Sequence, residues 1–370
     1  MIDFRYHVVS IVAVFLALTV GLVLGASFLS KYAVDGLKEN ITSLTSQKNN
    51  LQQENRNQSN TLDGLNSYVN DTAATLVSGY LDGDDVTIVQ IAGLDGPSTA
   101  ATINLLGVAG ATVTSNITLN PAFTDPTNNA ALTQAVTANL PPGQTAVGST
   151  PQLQAANLLA EVLTAPDAST DDISIGQVNP PPSGMSMADA IVALKNFAAA
   201  GLITINTLPS ATETVRPNLA FLSAPIAANT ADQNTAYLTL AEALRTNDAE
   251  PVIGGSAVGG GAGSSQSGGL LYATLNDSTA FKEISTVDNI NLTMGQVAVV
   301  FALYQNVNTP GPVAGHYGAI GGTDGQLPAK LPLRPSPVPT ATGTGTARSG
   351  GRPSGATPSS GPSGSATPGH

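Results

Sequence analysis

The sequence predicts an α/β fold: a Rossmann-like α/β sandwich with a mostly parallel sheet, set behind an N-terminal single transmembrane helix and a coiled coil. Three observations carry that expectation. Residues 8–28 (VVSIVAVFLALTVGLVLGASF) hold no charge. Residues 33–69 then space apolar side chains alternately four and three apart. From residue 86 onward, short β-branched runs alternate with Ala-rich helical patterns, which is how a sheet covered by helices is written.

The first stretch sets location. About 20 helical residues cross a hydrocarbon core at 1.5 Å rise each. The short flank MIDFRYH carries Arg5 and the terminal amine against Asp3, and the far flank balances Lys31 and Lys38 against Asp35 and Glu39. Positive charge stays inside, so the expected topology is a single-pass protein of the cell membrane with its N-terminus cytoplasmic and its bulk extracytoplasmic. A cleaved signal peptide is the rival reading, with Gly25-Ala26-Ser27 as its small-residue site. The apolar run is longer than a signal core of roughly 7 to 15 residues, which favours an uncleaved anchor. Gly21 and Gly25 form a small-xxx-small pair that permits close helix packing in a membrane.

The second stretch reads as a heptad. One series of core positions is Leu37, Leu44, Leu51, Gln58 and Leu65; the other is Ile41, Lys48, Asn55, Leu62 and Val69. That alternation over about four heptads is the coiled-coil signature, and a buried Asn at such a position fixes register in a two-stranded pair. The expected partner is a second copy, as a parallel homodimer or a higher oligomer. A lone amphipathic helix packed on the following domain fits the same pattern.

After the break YLDGDD at 80–85, residues 86–91 (VTIVQI), an Ala-rich helix at 98–108 and a second strand at 111–117 make a βαβ unit. Helical patterns follow at 128–140, 150–163, 186–200 and 231–245. Residues 202–205 and 219–222 read as buried strands, 251–254 as a short strand and 270–274 as another. The run VAVVFAL at 297–303 fits strand or helix. Residues 254–269 (GGSAVGGGAGSSQSGG) read as a flexible loop. Pro, Ser, Thr and Gly dominate beyond residue 323, a composition that cannot offset its ordering entropy and predicts disorder. The expected order is a cytoplasmic N-terminus (1–7), a membrane helix (8–29), a coiled coil (31–78), an extracytoplasmic α/β domain (80–322) and a tail (323–370).

Charge and composition narrow the chemistry. The net charge is -12, and residues 80–322 carry only Lys195, Arg216, Arg245 and Lys282 against eighteen acids. So acidic a body argues against nucleic-acid binding. There is no cysteine, which removes disulfides, thiolate metal sites and cysteine nucleophiles. Gly93 and Gly96 follow the first strand, where open sheets bind ligands, but G-x-G-x-x-G is absent and Asp95 beside them would repel a phosphate. The glycine loop lacks the Lys-Ser/Thr of a P-loop. His7, His316 and His370 form no H-E-x-x-H, and no G-x-S-x-G is present. Asp84-Asp85 and Asp171-Asp172 read as loop acids. No enzyme is expected, and no resident cofactor. The soft metal ligands are Met185 and Met187, an M-x-M pair whose thioethers suit Cu(I), with His316 a third ligand where the fold brings it close.

The start MIDFRYHVVSIVAVFLALTVGLVLG closely resembles the N-terminus of the actinobacterial copper transporter family typified by mycobacterial copper transport protein B. Residues 283–290 (EISTVDNI) look like that family's IS-TVD-N segment, and the apolar run at 297–303 and Gly315-His316-Tyr317-Gly318 follow at similar places. The resemblance spans residues 1–320. It implies an envelope protein of copper efflux or homeostasis, with copper as the transported or bound species and a pore of the outer envelope as the family's described form. It is also similar to envelope proteins that act with division and cell-wall hydrolysis proteins, which implies a dimeric structural adaptor as the alternative.

Overall fold

The computed structural model describes residues 4–165, 185–209, 216–225, 227–256, 269–309, 314–318, 324–329 and 332–334, with the side chains of 26–33 outside that set. Asp171-Asp172, most of the glycine loop and the expected tail from residue 335 lie outside the described residues.

The chain begins with α1 (Phe4–Val77), one uninterrupted helix of 74 residues. Its first part, Phe4–Gly25, is long and apolar enough to cross a membrane and buries nothing against the rest of the protein. No break separates this span from the heptad region. Leu37, Leu44 and Leu51 stand 61%, 63% and 66% exposed, so this part of the helix does not pack on the head, as the lone-helix reading required. A coiled-coil pairing is not seen in the single chain. Only the last turns dock: Ala73 and Val77 are buried, and a turn at 78–83 leads into the sheet.

The head is built in chain order from β1 (Asp85–Ile91), α2 (Gly96–Val108), β2 (Thr112–Leu119), α3 (Asn129–Asn139), α4 (Pro151–Leu163) and α5 (Met187–Ala199). It continues with β3 (Ile203–Thr207), β4 (Leu219–Ser223), α6 (Ala231–Thr246), β5 (Glu250–Gly254), α7 (Leu270–Asn276) and α8 (Ala280–Glu283). It closes with β6 (Ser285–Val287), α9 (Thr293–Asn308) and β7 (His316–Tyr317). Local chemistry starts the helices where it should. Pro151 follows the capping Thr150 of α4, Pro97 stands in the first turn of α2, and Thr230 with Gln233 closes a capping box on α6.

Among the described residues, seven strands lie in the order β3-β2-β1-β4-β5-β6-β7. Every neighbouring pair is parallel except β2–β3, which is antiparallel. The first six positions follow the doubly wound nucleotide-binding order, with its reversal between β1 and β4. Alternate residues feed two cores. Ala220 and Leu222 of β4 join the side chains of α3 to α7, while Leu219 and Phe221 join α2, α9 and the end of α1. Helices therefore cover both faces of the sheet.

Three elements depart from the sequence reading, and a fourth, open there between strand and helix, is a helix. Residues 270–274 form the first turns of α7, not a strand; Leu270, Leu271 and Thr274 are buried at helical spacing behind Gly269. The apolar run 297–303 is the centre of α9, buried on every side because the sheet, α2 and α1 surround it. The strand expected at 202–205 is an antiparallel edge whose later residues are exposed. The head also continues past residue 322: Tyr317 bridges Gly325, and the Tyr304 hydroxyl donates to the Pro332 carbonyl at 2.5 Å.

Tyr80 fastens α1 to the head. Its ring meets Phe301 and Tyr304 edge-on, each at 4.9 Å between centroids. Tyr80→Ala is expected to lower head stability by about 3 kcal/mol in urea unfolding while the helical content of α1 is retained.

Candidate functional site

Open parallel sheets bind ligands outside the carboxyl ends of their strands, at the point where the strand order reverses. Here that point lies between β1 and β4, and the protein fills it with its own groups. Leu94 bridges Pro225 across it. The N-terminus of α2, where a phosphate would sit, is taken by Asp95. Its carboxylate accepts from the Ser98 amide at 3.3 Å, the Ser98 hydroxyl at 2.7 Å and the Ser256 hydroxyl at 3.0 Å. The Ser98 hydroxyl, with the Ser98 amide and the Ser256 hydroxyl, holds Asp95 below the usual carboxylate range against the opposing effect of burial. Behind it the Thr99 and Ser223 hydroxyls are 2.6 Å apart, closing the crevice floor.

A second polar site forms at the far edge of the sheet, and it unites segments that are apart in sequence. β6 and β7 pair Thr286 with His316 and Val287 with Tyr317. His316 is 2% exposed. Its Nε2 donates to the Phe281 carbonyl at 2.8 Å, and its Nδ1 lies 2.9 Å from the Thr286 hydroxyl. The ring stacks on Phe281 at 4.2 Å. The His316 amide donates to the Asp324 carboxylate at 3.0 Å, and the Tyr317 hydroxyl to Gln305 at 2.7 Å. The Ser285 hydroxyl meets Asn306 at 2.9 Å and accepts from the Gly315 amide at 3.1 Å. Gly318 has a positive φ of 128°, and a Cβ there would lie 1.7 Å from an oxygen of buried Asp288. Both ring nitrogens of His316 are thus engaged by the protein, so a metal could be ligated only at the cost of one of those bonds.

The methionines sit elsewhere. Ser186 caps α5, its hydroxyl accepting from the Asp189 amide at 3.1 Å and donating to the Asp189 carboxylate at 2.6 Å. Met185 precedes that cap and Met187 follows it; they are 3% and 6% exposed. Met185 shares a core cluster with Ala190, four positions beyond the cap, as in a hydrophobic staple. α5 packs on β3, at one edge of the sheet, whereas His316 belongs to β7 at the other. Six strand spacings of about 4.8 Å separate those edges. The fold does not bring His316 to the methionine pair. Among the described residues, no group of three His, Cys, Asp or Glu is arranged to hold a metal ion.

On α1, Gly21 and Gly25 have open space around them, and Leu37, Ile41, Leu44, Leu51, Asn55, Leu62 and Leu65 are all exposed along the helix.

The profile of the family described as "Copper transport outer membrane protein, MctB" matches residues 1–328, from the first helix through the β6–β7 site. The chain belongs to the MctB family. Its relatives include proteins called copper transporter MctB from Mycobacterium bovis and Mycobacterium tuberculosis, each 25% identical over 321 residues. A copper transporter MctB from Mycobacterium leprae is 25% identical over 324 residues. Each of these alignments takes in 86% of this chain and 96% of the relative.

In this MctB-family head, the two later stretches that resembled the family become one clasp. EISTVDNI supplies β6 and its turn, and Gly315-His316-Tyr317-Gly318 supplies β7. Sequence reasoning named His316 and missed Thr286, Phe281, Asp288 and Asp324; the EISTVDNI resemblance was the signal that pointed to their surroundings.

Three glutamates mark where burial strains the acidic body. Burial raises Glu161 on α4, whose Oε2 has no hydrogen-bond partner, and raises Glu242, with Asp277 and Glu283 adding to the effect. Burial also raises Glu250 in spite of nearby Arg245. These groups bind protons more tightly folded than unfolded, so their destabilising effect at neutral pH fades as pH falls through their raised range and is gone below the ordinary Glu value of about 4.3. Asp95 and Asp125 are lowered, and the stability they contribute is lost only in stronger acid. Melting temperature should therefore peak in mild acid, and Glu161→Gln should raise it at neutral pH and flatten the rise. His316→Ala is expected to cost about 2–4 kcal/mol, read by urea unfolding, because it opens a cavity and leaves Thr286 and the Phe281 carbonyl without their partner.

Proposed function

We propose that this chain is an envelope protein of copper homeostasis, held in the cell membrane by residues 8–29 with its N-terminus in the cytoplasm and its head outside. The observation that carries the reading is the span of the family match. It takes in the anchor, the long helix and the head together, not one module alone. The curated relatives that share this length are called copper transporters.

The geometry shapes how such a role could work. The described strands form an open sheet covered by helices on both faces, so they are not the wall of a barrel. Any pore built from the described residues has to be lined by the first helices of several copies. That makes oligomerisation through α1, as the heptads suggest, part of the same reading. In the head, copper contact is assigned to the Met185 and Met187 thioethers, since His316 is committed to the β6–β7 clasp.

A deletion strain grown in graded copper is expected to accumulate more cell copper than its parent, and the full chain to restore the lower level. Unchanged copper together with misplaced septa would instead favour the adaptor role implied by the resemblance. Met185→Leu with Met187→Leu nearly conserves core volume, so the head should stay folded. Titration of Cu(I) into this double variant is expected to lose head binding that the parent shows. Unchanged binding would remove the methionines from the proposal.

A further inference from the structure

We infer that the exposed seam of α1 is an interface for a second copy of this chain, paired parallel and in register along residues 34–69. The inference rests on the membrane-anchored reading for its direction, and on the helix itself for its partner.

Three observations point to a second copy. First, α1 has two distinct faces. Ala73 and Val77 are buried on the head, and Asn70, one turn earlier, accepts a hydrogen bond from the Thr293 hydroxyl of α9. The seam positions Leu37, Ile41, Leu44, Leu51, Leu62 and Leu65 follow a different stripe and stay at least 55% exposed. Of the seam only its last position, Val69, is partly buried beside Asn70, so the head is attached without using the rest. Secondly, the seam has two-stranded chemistry. In the heptad frame, Val34, Ile41 and Val69 are β-branched residues at one core position, and Leu37, Leu44, Leu51 and Leu65 occupy the other. Asn55 lies among the β-branched series, where it pairs best with its own copy at the same level. Thirdly, the flanking positions do not oppose a like partner. Residues 38, 45, 52, 59 and 66 are Lys, Thr, Gln, Ser and Asn, and 40, 47, 54, 61 and 68 are Asn, Gln, Glu, Thr and Tyr. Each row holds one charge, and the two charges have opposite sign.

Direction follows from continuity. Because α1 runs unbroken from Phe4 to Val77, two copies in one membrane enter the rod side by side at the same height. An antiparallel pair would need the second span to start from the far end of a helix segment of roughly 78 Å between residues 25 and 77.

The absence of cysteine makes the test clean. Leu37→Cys and Leu65→Cys are made as separate single variants of the full chain, with Gln53→Cys on the outer face as control. Each is expressed in membranes and oxidised with diamide. Parallel, in-register pairing brings both core levels within disulfide reach of their own copies. The expected result is a covalent homodimer from both core variants and at most a trace from the control. A dimer from only one core variant would mean antiparallel pairing, which can juxtapose only one level with itself, and would overturn the inference. No homodimer from either, whether the seam stays empty or cross-links to another protein, would also overturn it. Thermal unfolding of the head checks that each variant is folded. Carbonate extraction of the same membranes tests the anchor separately: release of chains that still cross-link would reject the anchor and keep the pairing.

Discussion

The packing of α1 against α9 is the contact on which the rest of the molecule depends. Ala73 and Val77 at the end of α1, then Tyr80 and Leu81, are buried on the side of α9 that faces away from the sheet. The other side of α9 lies over Phe221, Val252 and Val287. A helix covered on both sides has no reason to be amphipathic, which is why VAVVFAL is apolar throughout. The same contact makes the long helix and the head one unit, so an event at the membrane-proximal part of α1 is mechanically continuous with the second core of the head. A flexible linker at that point would have left the head free to turn.

Legibility in the sequence tracked the length of each element and the number of faces it buries. The βαβ start was readable because β1 and β2 are long, β-branched and separated by a Pro-started helix. Helices α3 to α6 were readable from their helical patterns. The far edge of the sheet was not. β6 and β7 have three and two residues, too few to show a period, and they are held by Ser285, Thr286 and Asp324 rather than by apolar burial alone. A five-residue run such as LLYAT fits a strand and the buried side of a helix equally well. β3 was legible as a strand, but neither its edge position nor its direction is encoded locally.

The candidate sites were legible as residue types and not as roles. Asp95 was suspected of repelling phosphate; in the fold it goes further and takes the anion's place at the start of α2. His316 looked like a spare metal ligand because nothing near it in sequence engages it. Its partners, Phe281 and Thr286, come from residues 30 or more positions earlier. Met185-Ser186-Met187 looked like a ligand pair, and the residue between the sulfurs turned out to be the helix cap. A polar residue enclosed by two apolar ones is what a helix start with a staple requires, so the motif has a folding reason before it has a chemical one.

These assignments constrain what a copper role can ask of the head. A Cu(I) ion reaching Met185 and Met187 must displace core packing at the start of α5, because both side chains are buried; binding there is coupled to local opening of that cap and is not capture by a preformed cup. The crevice at β1 and β4 offers an anionic carboxylate and hydroxyls, hard donors that suit Cu(I) poorly. The clasp at His316 offers an imidazole whose two nitrogens already serve the backbone of α8 and the side chain of β6. None of these three places presents soft donors free to meet an ion while the head stays closed. The long first helix, by contrast, carries an apolar seam whose side chains stay exposed from Leu37 to Leu65. Were the proposed copper role to include a pore, the helices on both faces of this open sheet would leave the first helices of several copies to line it.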